Sequence, residues 1–433
     1  MVLKIKALVI GFLLIGLSAL GQSKLLFDEA LEKLLLQNYD IQVQVLSKQI
    51  AENTASKLNN NYLPTLSVDA GGGWTYFGGE NRLEDRTIEL DPNASYTYDA
   101  ALSLNYIIFN GFGRKYQLKI NEENLALAEA EYRLLIQNSI LELGRIYYEV
   151  AFLEENVALL ESSMEISKDR LLRASYGFEY GRNSRVDVLN AKVDFNQDSI
   201  AFLNGKLDFE NALRNLNLLM GDSIEAAYQL EKQVQIDSTL DLGTVLEVAQ
   251  DQNLELAINE HNYLNSKYAL ANSRAPWMPT LSANAGYNYR GSEDPNGAFL
   301  KGSERLGPQA GIRLTWNVFN GQNIVNQQNA KLRLQQAEVR QKQIKQQVKA
   351  QAYNAFSLYK NAMAVLQAQE DNVATAERNF VRSKEALNLG QITNAEYRSA
   401  QLNYLQAMQN RSKAKYDTKN AELQVYAIMG ELK

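Results

Sequence analysis

The chain has no cysteine, one histidine and only six prolines among its 433 residues. Without cysteine it can form no disulfide, thiolate metal site or thiol nucleophile. His261 lacks the companion residues that a metal site or catalytic triad would need, so we expect it on a helix surface. The short motifs of nucleophilic, phosphate-binding and zinc-dependent enzymes are also missing. We therefore expect a protein that is not an enzyme and that binds no metal and no cofactor.

Charge of one sign is not concentrated anywhere in the chain. The sequence has 44 Lys and Arg residues against 50 Asp and Glu residues, which gives a net charge of −6. A nucleic-acid-binding protein would show a basic cluster or a recognition helix, and neither is found. We therefore expect no nucleic-acid partner.

Long apolar runs are scarce, and the clearest one lies at the N-terminus. Lys4 and Lys6 precede an apolar run over 7–20, and small residues follow it up to Gly21. This run is too short to span a bilayer comfortably. Its pattern is typical of a secretory signal peptide over 1–21. We expect the mature protein to leave the cytoplasm without a transmembrane helix.

Several sequence landmarks occur twice, in the same order and about 210 residues apart. The pairs are Pro64 and Pro279, Gly111 and Gly321, Gly181 and Gly390, and Gly221 and Gly430. This arrangement indicates an internal duplication. We predict a first repeat over 22–221, a linker over 222–241 and a second repeat over 242–433.

Each repeat contains two stretches in which apolar and polar residues alternate. They predict strands at 64–77 and 95–109 in the first repeat and at 279–290 and 309–319 in the second. A soluble sheet packed on helices would show the same alternation. The length of about ten residues suits a tilted bilayer crossing, however. Aromatic residues also cluster near the strand ends, as they do at membrane interfaces.

Four strands are too few to form a membrane barrel alone. A sheet in lipid must close, because an open edge leaves backbone groups without hydrogen-bond partners. About eight strands are the practical minimum for closure. The sequence therefore predicts a homo-oligomer, and the strand count leaves two, three or four chains open.

Each repeat also predicts a helical hairpin too long for a globular core. The hairpins cover 112–220 and 322–429, and shorter helices near 27–60 and 244–274 precede the strands. The first helix of each hairpin exceeds sixty residues and would measure about 90–100 Å. A narrow heptad-like apolar stripe on an otherwise polar surface favours a coiled-coil rod or a wall with water on both sides.

Glycines and polar residues predict where these elements change direction. Gly181 and Gly390 stand where the long helices must reverse, and capping boxes end at Asp187 and Glu396. The Phe-Asn-Gly motifs mark a different change. Their asparagines and glycines stand where a strand is predicted to become a helix, and they are Asn110, Gly111, Asn320 and Gly321.

Together, these features resemble the TolC-like outer membrane efflux protein family across essentially the whole mature chain. The most specific matches are the proline motifs around Pro64 and Pro279 at the strand starts, the Phe-Asn-Gly motifs, and the tip motif that begins at Tyr180. The resemblance implies a mostly α fold with a β-barrel portion. Three chains would share a 12-stranded outer-membrane β-barrel that continues into a 12-helix periplasmic α-barrel.

The resemblance also implies a function and partners. Such a homotrimer is a passive exit duct in the outer membrane of a Gram-negative bacterium, with a large periplasmic portion. It serves a tripartite efflux or type I secretion system. Its partners would be outer membrane lipids, a periplasmic adaptor (membrane fusion protein) and an inner-membrane transporter, either proton-driven or ABC-type. The alternative is a trimeric coiled-coil surface or periplasmic protein without a pore, which would leave the four paired strands unexplained.

Site residues follow from the same resemblance. The adaptor would dock at the tip residues Gly181, Arg182, Gly390 and Gln391. Asp187 and Glu396 would form a cation-favouring constriction at the periplasmic entrance, although simple helix capping also explains them.

A departure from the family pattern concerns the entrance latch. Leu387 and Ile392 stand where the family places a tyrosine and an arginine, so that latch cannot form here. Arg182, Arg185 or Arg398 acting across a subunit boundary is a hypothesis for its replacement.

Overall fold

A computed structural model describes residues 23–293 and 301–432. The expected signal peptide at 1–21 lies outside the described residues. The first repeat contains β1 (Ser23–Leu25), α1 (Phe27–Gln37), α2 (Tyr39–Ala55), β2 (Thr65–Arg82), β3 (Thr87–Asn110), α3 (Gly113–Glu179) and α4 (Arg185–Met220). The later part contains β4 (Tyr228–Leu230), α5 (Leu242–Gln252), α6 (Leu254–Asn272), β5 (Thr280–Glu293), β6 (Gly302–Thr315), α7 (Gly321–Asn388) and α8 (Asn394–Met429).

The chain divides into two compact units. The sheet unit comprises residues 46–131 and 257–344, and the helical unit comprises the described residues up to 45, 132–256 and those from 345 onward. Across the described residues we find no helix with both the length and the apolarity that a membrane crossing requires.

The sheet unit is built on four antiparallel strands in the order β2-β3-β5-β6. Because each neighbour runs antiparallel, the two edge strands β2 and β6 run in opposite directions. Leu66 pairs with Leu104 in the first hairpin, and the equivalent Leu281 pairs with Leu314 in the second. The two repeats therefore use the same internal register.

The strand limits differ from the predicted ones. The first two strands were predicted at 64–77 and 95–109, yet β2 and β3 continue pairing through a polar hairpin as far as Arg82 and Thr87. Backbone pairing continues there although the side-chain alternation has ended. The last strand, predicted at 309–319, instead covers Gly302–Thr315.

One face of the sheet is apolar and exposed, and the other is polar. Val68 is 75% exposed and Ile312 is 74% exposed, and both lie on the apolar face. The charged residues Asp69, Asp99 and Arg313 alternate with them on the opposite face. This separation is the pattern that a strand between lipid and water requires.

The core of the helical unit gathers residues that are distant in sequence. Tyr147 on α3 is 1% exposed, and its hydroxyl donates to the Leu25 carbonyl at 2.7 Å. Leu25 belongs to β1, which pairs in parallel with β4. Residues 222–241 were predicted only to link the repeats, and they also contribute β4 to this pair.

Each of the two shorter predicted helices is divided in two by one buried asparagine. Asn38 stands between α1 and α2, and its Nδ2 donates to the Leu219 carbonyl at 2.8 Å. Asn253 stands between α5 and α6, and its Nδ2 donates to the Ile428 carbonyl at 3.0 Å. These side chains satisfy carbonyl groups at the ends of α4 and α8, which lack partners within their own helices.

His261 is less exposed than the sequence predicts. Its Nδ1 lies 2.8 Å from Glu123 Oε2, and its side chain is 28% exposed. The residue therefore lies half-buried against α3 within the sheet unit.

Candidate functional site at the hairpin tips

Both hairpin tips turn at a glycine in the left-handed conformation. Gly181 has φ of 73° and Gly390 has φ of 71°, a region that other residues rarely adopt. The backbone N–H of Gly181 donates to the Phe178 carbonyl, and that of Gly390 donates to the Leu387 carbonyl, both at 3.0 Å. The glycines thus end α3 and α7 as predicted, and the residues on either side of each glycine are exposed.

Asp187 completes a capping box at the start of α4. Its Oδ2 accepts hydrogen bonds from the Ser184 backbone N at 2.9 Å and the Ser184 hydroxyl at 2.8 Å. The Asp187 backbone N donates to Ser184 Oγ at 3.2 Å. The hydrogen bonds from Ser184 lower the pKa of the Asp187 carboxyl, so it stays ionised at neutral pH.

Glu396 repeats this arrangement at the start of α8. Its Oε2 accepts from the Thr393 backbone N at 2.7 Å and from the Thr393 hydroxyl at 2.9 Å. The backbone and side-chain hydrogen bonds from Thr393 lower the pKa of the Glu396 carboxyl. The capping role of Glu396, like that of Asp187, is therefore confirmed.

A buried ion pair behind the tips connects the two hairpins. Arg398 on α8 donates from Nη1 to Asp198 Oδ2 at 2.8 Å and from Nη2 to Oδ1 at 2.5 Å. The Arg398 side chain is 11% exposed, and that of Asp198 on α4 is 9% exposed. Ser163 and Ser167 on α3 also donate to Asp198. The bidentate contact thus joins α8 to α4, and the two serine hydroxyls connect α3 to the same carboxylate.

A second ion pair extends this cluster. Arg170 on α3 donates to Asp194, and Arg398 Nε lies 3.9 Å from the same carboxylate. Arg398 therefore has two carboxylate partners inside its own chain, and its role across a subunit boundary stays a hypothesis. Leu387 and Ile392 carry aliphatic side chains, so neither can form a polar latch in place of this cluster.

The first strand-to-helix junction requires its glycine. Gly111 has φ of 65°, and an added Cβ would lie 2.3 Å from the Ala275 carbonyl oxygen. Asn110 caps the new helix, because its Oδ1 accepts from the Arg114 backbone N at 3.2 Å. The Arg114 guanidinium donates to two carbonyls at the end of β3, those of Ile107 at 2.7 Å and Ile108 at 2.9 Å.

The second junction uses only the asparagine. Asn320 Oδ1 accepts from the Gln322 backbone N at 2.9 Å. Gly321 is the first residue of α7, it is not among the glycines with positive φ, and an added Cβ would meet no atom within 4 Å. Pro64 and Pro279 directly precede β2 and β5, where the missing backbone donor is tolerated.

Comparison with known proteins identifies the family to which this chain belongs. The family described as outer membrane efflux protein matches residues 30–222 and 245–431. The chain belongs to the outer membrane efflux protein family. Membership places it in the outer membrane with a periplasmic portion, as a channel of the efflux or secretion type.

Curated relatives of this outer membrane efflux protein include an outer membrane protein and a protease secretion protein. It is 22% identical over 322 residues to the outer membrane protein TolC of Vibrio cholerae, covering 72% of each chain. It is 22% identical over 310 residues to the alkaline protease secretion protein AprF of Pseudomonas aeruginosa, covering 70% of this chain and 63% of AprF.

Solved structures show the same fold. The Campylobacter jejuni CmeC outer membrane channel has a TM-score of 0.77 at 17% identity, covering 94% of this chain and 85% of CmeC. The open-state MtrE channel of Neisseria gonorrhoeae has a TM-score of 0.70 at 15% identity, covering 94% and 89%.

The carboxylate partners of Arg398 in this outer membrane efflux protein were not predicted from the sequence. Asp194 and Asp198 stand four residues apart on α4, a spacing that places both carboxylates on one helix face. That spacing was the available signal. It could not identify the partner, because Arg398 lies 200 residues further along the chain.

Proposed function

We propose that three copies of this chain form a passive duct through the outer membrane, from the periplasm to the exterior. The observation that carries the proposal is the unpaired state of both sheet edges within the described residues. Edges β2 and β6 run in opposite directions, so β6 of one copy fits antiparallel beside β2 of another. Lipid would otherwise leave the backbone groups of both edges without partners.

The exposed apolar face supports a lipid-facing barrel. Its side chains stay exposed in the single chain, although burying such residues would be favourable. Three copies of four strands give twelve, which exceeds the practical minimum for closure. The family resemblance selects three copies from the numbers that the strand count allows.

A second exposed stripe supports contact between hairpins of neighbouring copies. Apolar residues at heptad-like spacing follow one side of α4, and each is more than half exposed. They are Val186, Leu189, Val193, Ile200, Leu203 and Leu207. Such a stripe fits side-by-side packing against another long helix.

The tips would carry the contacts with the rest of the transport system. Gly181, Arg182, Gly390 and Gln391 would receive a periplasmic adaptor, which in turn contacts a proton-driven or ABC-type inner-membrane transporter. Exposure of Tyr180 (80%) and Leu389 (72%) beside these turns supports a docking surface. The carboxylates of Asp187 and Glu396 would ring the entrance, since each leaves one oxygen outside its capping contacts.

The mass of the solubilised protein tests this function. In mild detergent, light scattering should give three times the chain mass, and planar bilayers should show discrete conductance steps. A monomer would refute the shared barrel. A trimer that gives no conductance would favour the alternative of a coiled-coil protein without a pore.

A further inference from the structure

The two edges of the sheet carry opposite charges on their polar face. Edge strand β2 contributes Asp69, and edge strand β6 contributes Arg313. The Asp99 carboxylate of β3 lies over Gly71, with Oδ1 3.0 Å from the position of an added Cβ. Asp69 and Asp99 thus form an acidic patch around Gly71. Within the described residues, Asp69, Asp99 and Arg313 form no ion pairs.

The duplication predicts how the two edges would align. The in-chain junction between the repeats pairs β3 with β5, with Leu104 opposite Ala285. By the landmarks of the two repeats, Leu104 is equivalent to Leu314 on β6, and Ala285 is equivalent to Ala70 on β2. Both hairpins already keep equivalent registers, so the junction between copies is expected to repeat the junction within the chain.

We propose that β6 of one copy pairs with β2 of the next with Leu314 opposite Ala70, and that Arg313 thereby binds the acidic patch of that copy. One residue along the antiparallel pair, Arg313 stands opposite Gly71 of the partner subunit. This proposal rests on the shared barrel of the proposed function. It adds the register and the electrostatic contact that select the partner.

The chemistry of this seam fits an arginine. A glycine opposite Arg313 leaves space above the strand, and the diagonal neighbour Asp69 is within reach of a long side chain. Asp99 contributes a second carboxylate above the same glycine. A guanidinium can donate to both carboxylates at once. Arg290 stands opposite Asp99 in its own chain but forms no ion pair with it in the described structure.

The equivalent positions at the in-chain junction are uncharged. Ser103 replaces Arg313, Asn284 replaces Asp69, and Gln309 replaces Asp99. Gln309 Nε2 lies 3.7 Å from the position of an added Cβ on Gly286, much as Asp99 lies beside Gly71.

A physical reason accounts for this difference. Within one chain the covalent connection already brings the right strands together. Separate copies must select the right edge, and complementary charge provides that selection.

Charge reversal tests the contact. Either Arg313→Asp or Asp69→Arg should cause loss of the SDS-resistant trimer at a temperature at which the unaltered protein retains it, and the double variant should regain it. Arg305→Asp is the matched control, because Arg305 lies on the same strand and face, opposite Gly79 in this register. Equal loss for Arg305→Asp, or no rescue in the double variant, would overturn the ionic contact.

Disulfide formation tests the register, since the natural protein has no cysteine. Cysteines at Ala70 and Leu314, or at Gly71 and Arg313, should link copies covalently, because directly opposed residues lie within disulfide range. The control pair Leu66 and Leu314 is displaced by four residues, about 13 Å along the strand.

The outcomes separate this proposal from the proposed function. A trimer that links only at the control pair, or at no pair, would overturn the register and leave the shared barrel intact. An unaltered protein that is monomeric would overturn the barrel itself.

Discussion

At the residue scale, the two strand-to-helix junctions show how equivalent motifs acquire different constraints. The repeated Phe-Asn-Gly motif predicts that both glycines are needed. The structure confirms a special backbone only at Gly111, where the chain passes close to the Ala275 carbonyl. At Gly321 the asparagine before it performs the capping, so the glycine itself meets no constraint. A motif identifies a junction, but it cannot show which neighbouring segment approaches it.

Alanine substitution should therefore separate the two glycines. Gly111→Ala should lower stability by about 1–3 kcal/mol, because a left-handed backbone and a backbone clash act together. Gly321→Ala should have little effect or stabilise the start of α7, since alanine favours helix. The measurement is the temperature at which the trimer dissociates in SDS. Equal sensitivity of both positions would contradict this distinction.

At the element scale, local periodicity predicted the strands and the long hairpins, but the contacts that position them are distant in sequence. Alternation and heptad spacing are local properties, so they are visible in the sequence. The Asn38 contact with Leu219 spans 181 residues, and the Arg398 contact with Asp198 spans 200. Nothing in the sequence around Asn38 or Arg398 distinguishes these residues from ordinary polar surface residues. The helix breaks at Asn38 and Asn253 and the ion-pair cluster could therefore be found only in the structure.

The buried pair between α8 and α4 gives an element-scale prediction. Arg398→Ala should destabilise the packing of the hairpins by about 3–5 kcal/mol, because it leaves the Asp198 carboxylate buried without its charged partner. The double variant Arg398→Met with Asp198→Leu should recover most of this loss, since Asp198 then no longer leaves a buried charge without its partner and Arg170 still pairs with Asp194. Hydrogen exchange in α8 would report the change. A double variant as unstable as the single one would show that burial of charge is not the cause.

The capping boxes give a pH dependence at the same scale. The pKa values of Asp187 and Glu396 are lowered in the folded protein. Their stabilising contribution is therefore fully present above the pKa values of the unfolded chain, about 4, and it is lost as the pH falls below them through the lowered folded values.

We expect the first turns of α4 and α8 to open below that pH, measured as faster proteolysis at the tips by an acid-stable protease. Asp187→Asn with Glu396→Gln should show weaker dependence on pH. An unchanged pH profile in that variant would assign the opening to other groups.

At the scale of the whole molecule, the two repeats share their backbone architecture but differ in the side chains at equivalent positions. Equivalent strands pair in equivalent registers, and both tips use a left-handed glycine followed by a capping box. The buried Arg398 has no charged counterpart in the first hairpin, where Leu189 occupies the equivalent position. Three copies of the two repeats would therefore give a nearly sixfold frame, in which Arg398 distinguishes the second hairpin from the first.

The entrance carboxylates give a prediction for the assembled duct. Three copies would place six carboxylates near the periplasmic opening, and ionised carboxylates there favour cations over anions. Asp187→Asn with Glu396→Gln removes the charge while keeping hydrogen-bonding groups at the caps. We expect a smaller cation preference, read as a shift of the reversal potential toward zero in a salt gradient across a planar bilayer.

A matched control separates the entrance from the general acidity of the chain. Glu370→Gln with Asp371→Asn removes the same number of exposed charges from α7, away from the tips. Salt screens the field of an exposed charge over about 10 Å. The charges of Glu370 and Asp371 should therefore not act on an ion at the entrance, and this variant should leave the reversal potential unchanged. Equal shifts in both variants would assign selectivity to net charge, and no shift in the first would leave Asp187 and Glu396 with capping as their only role.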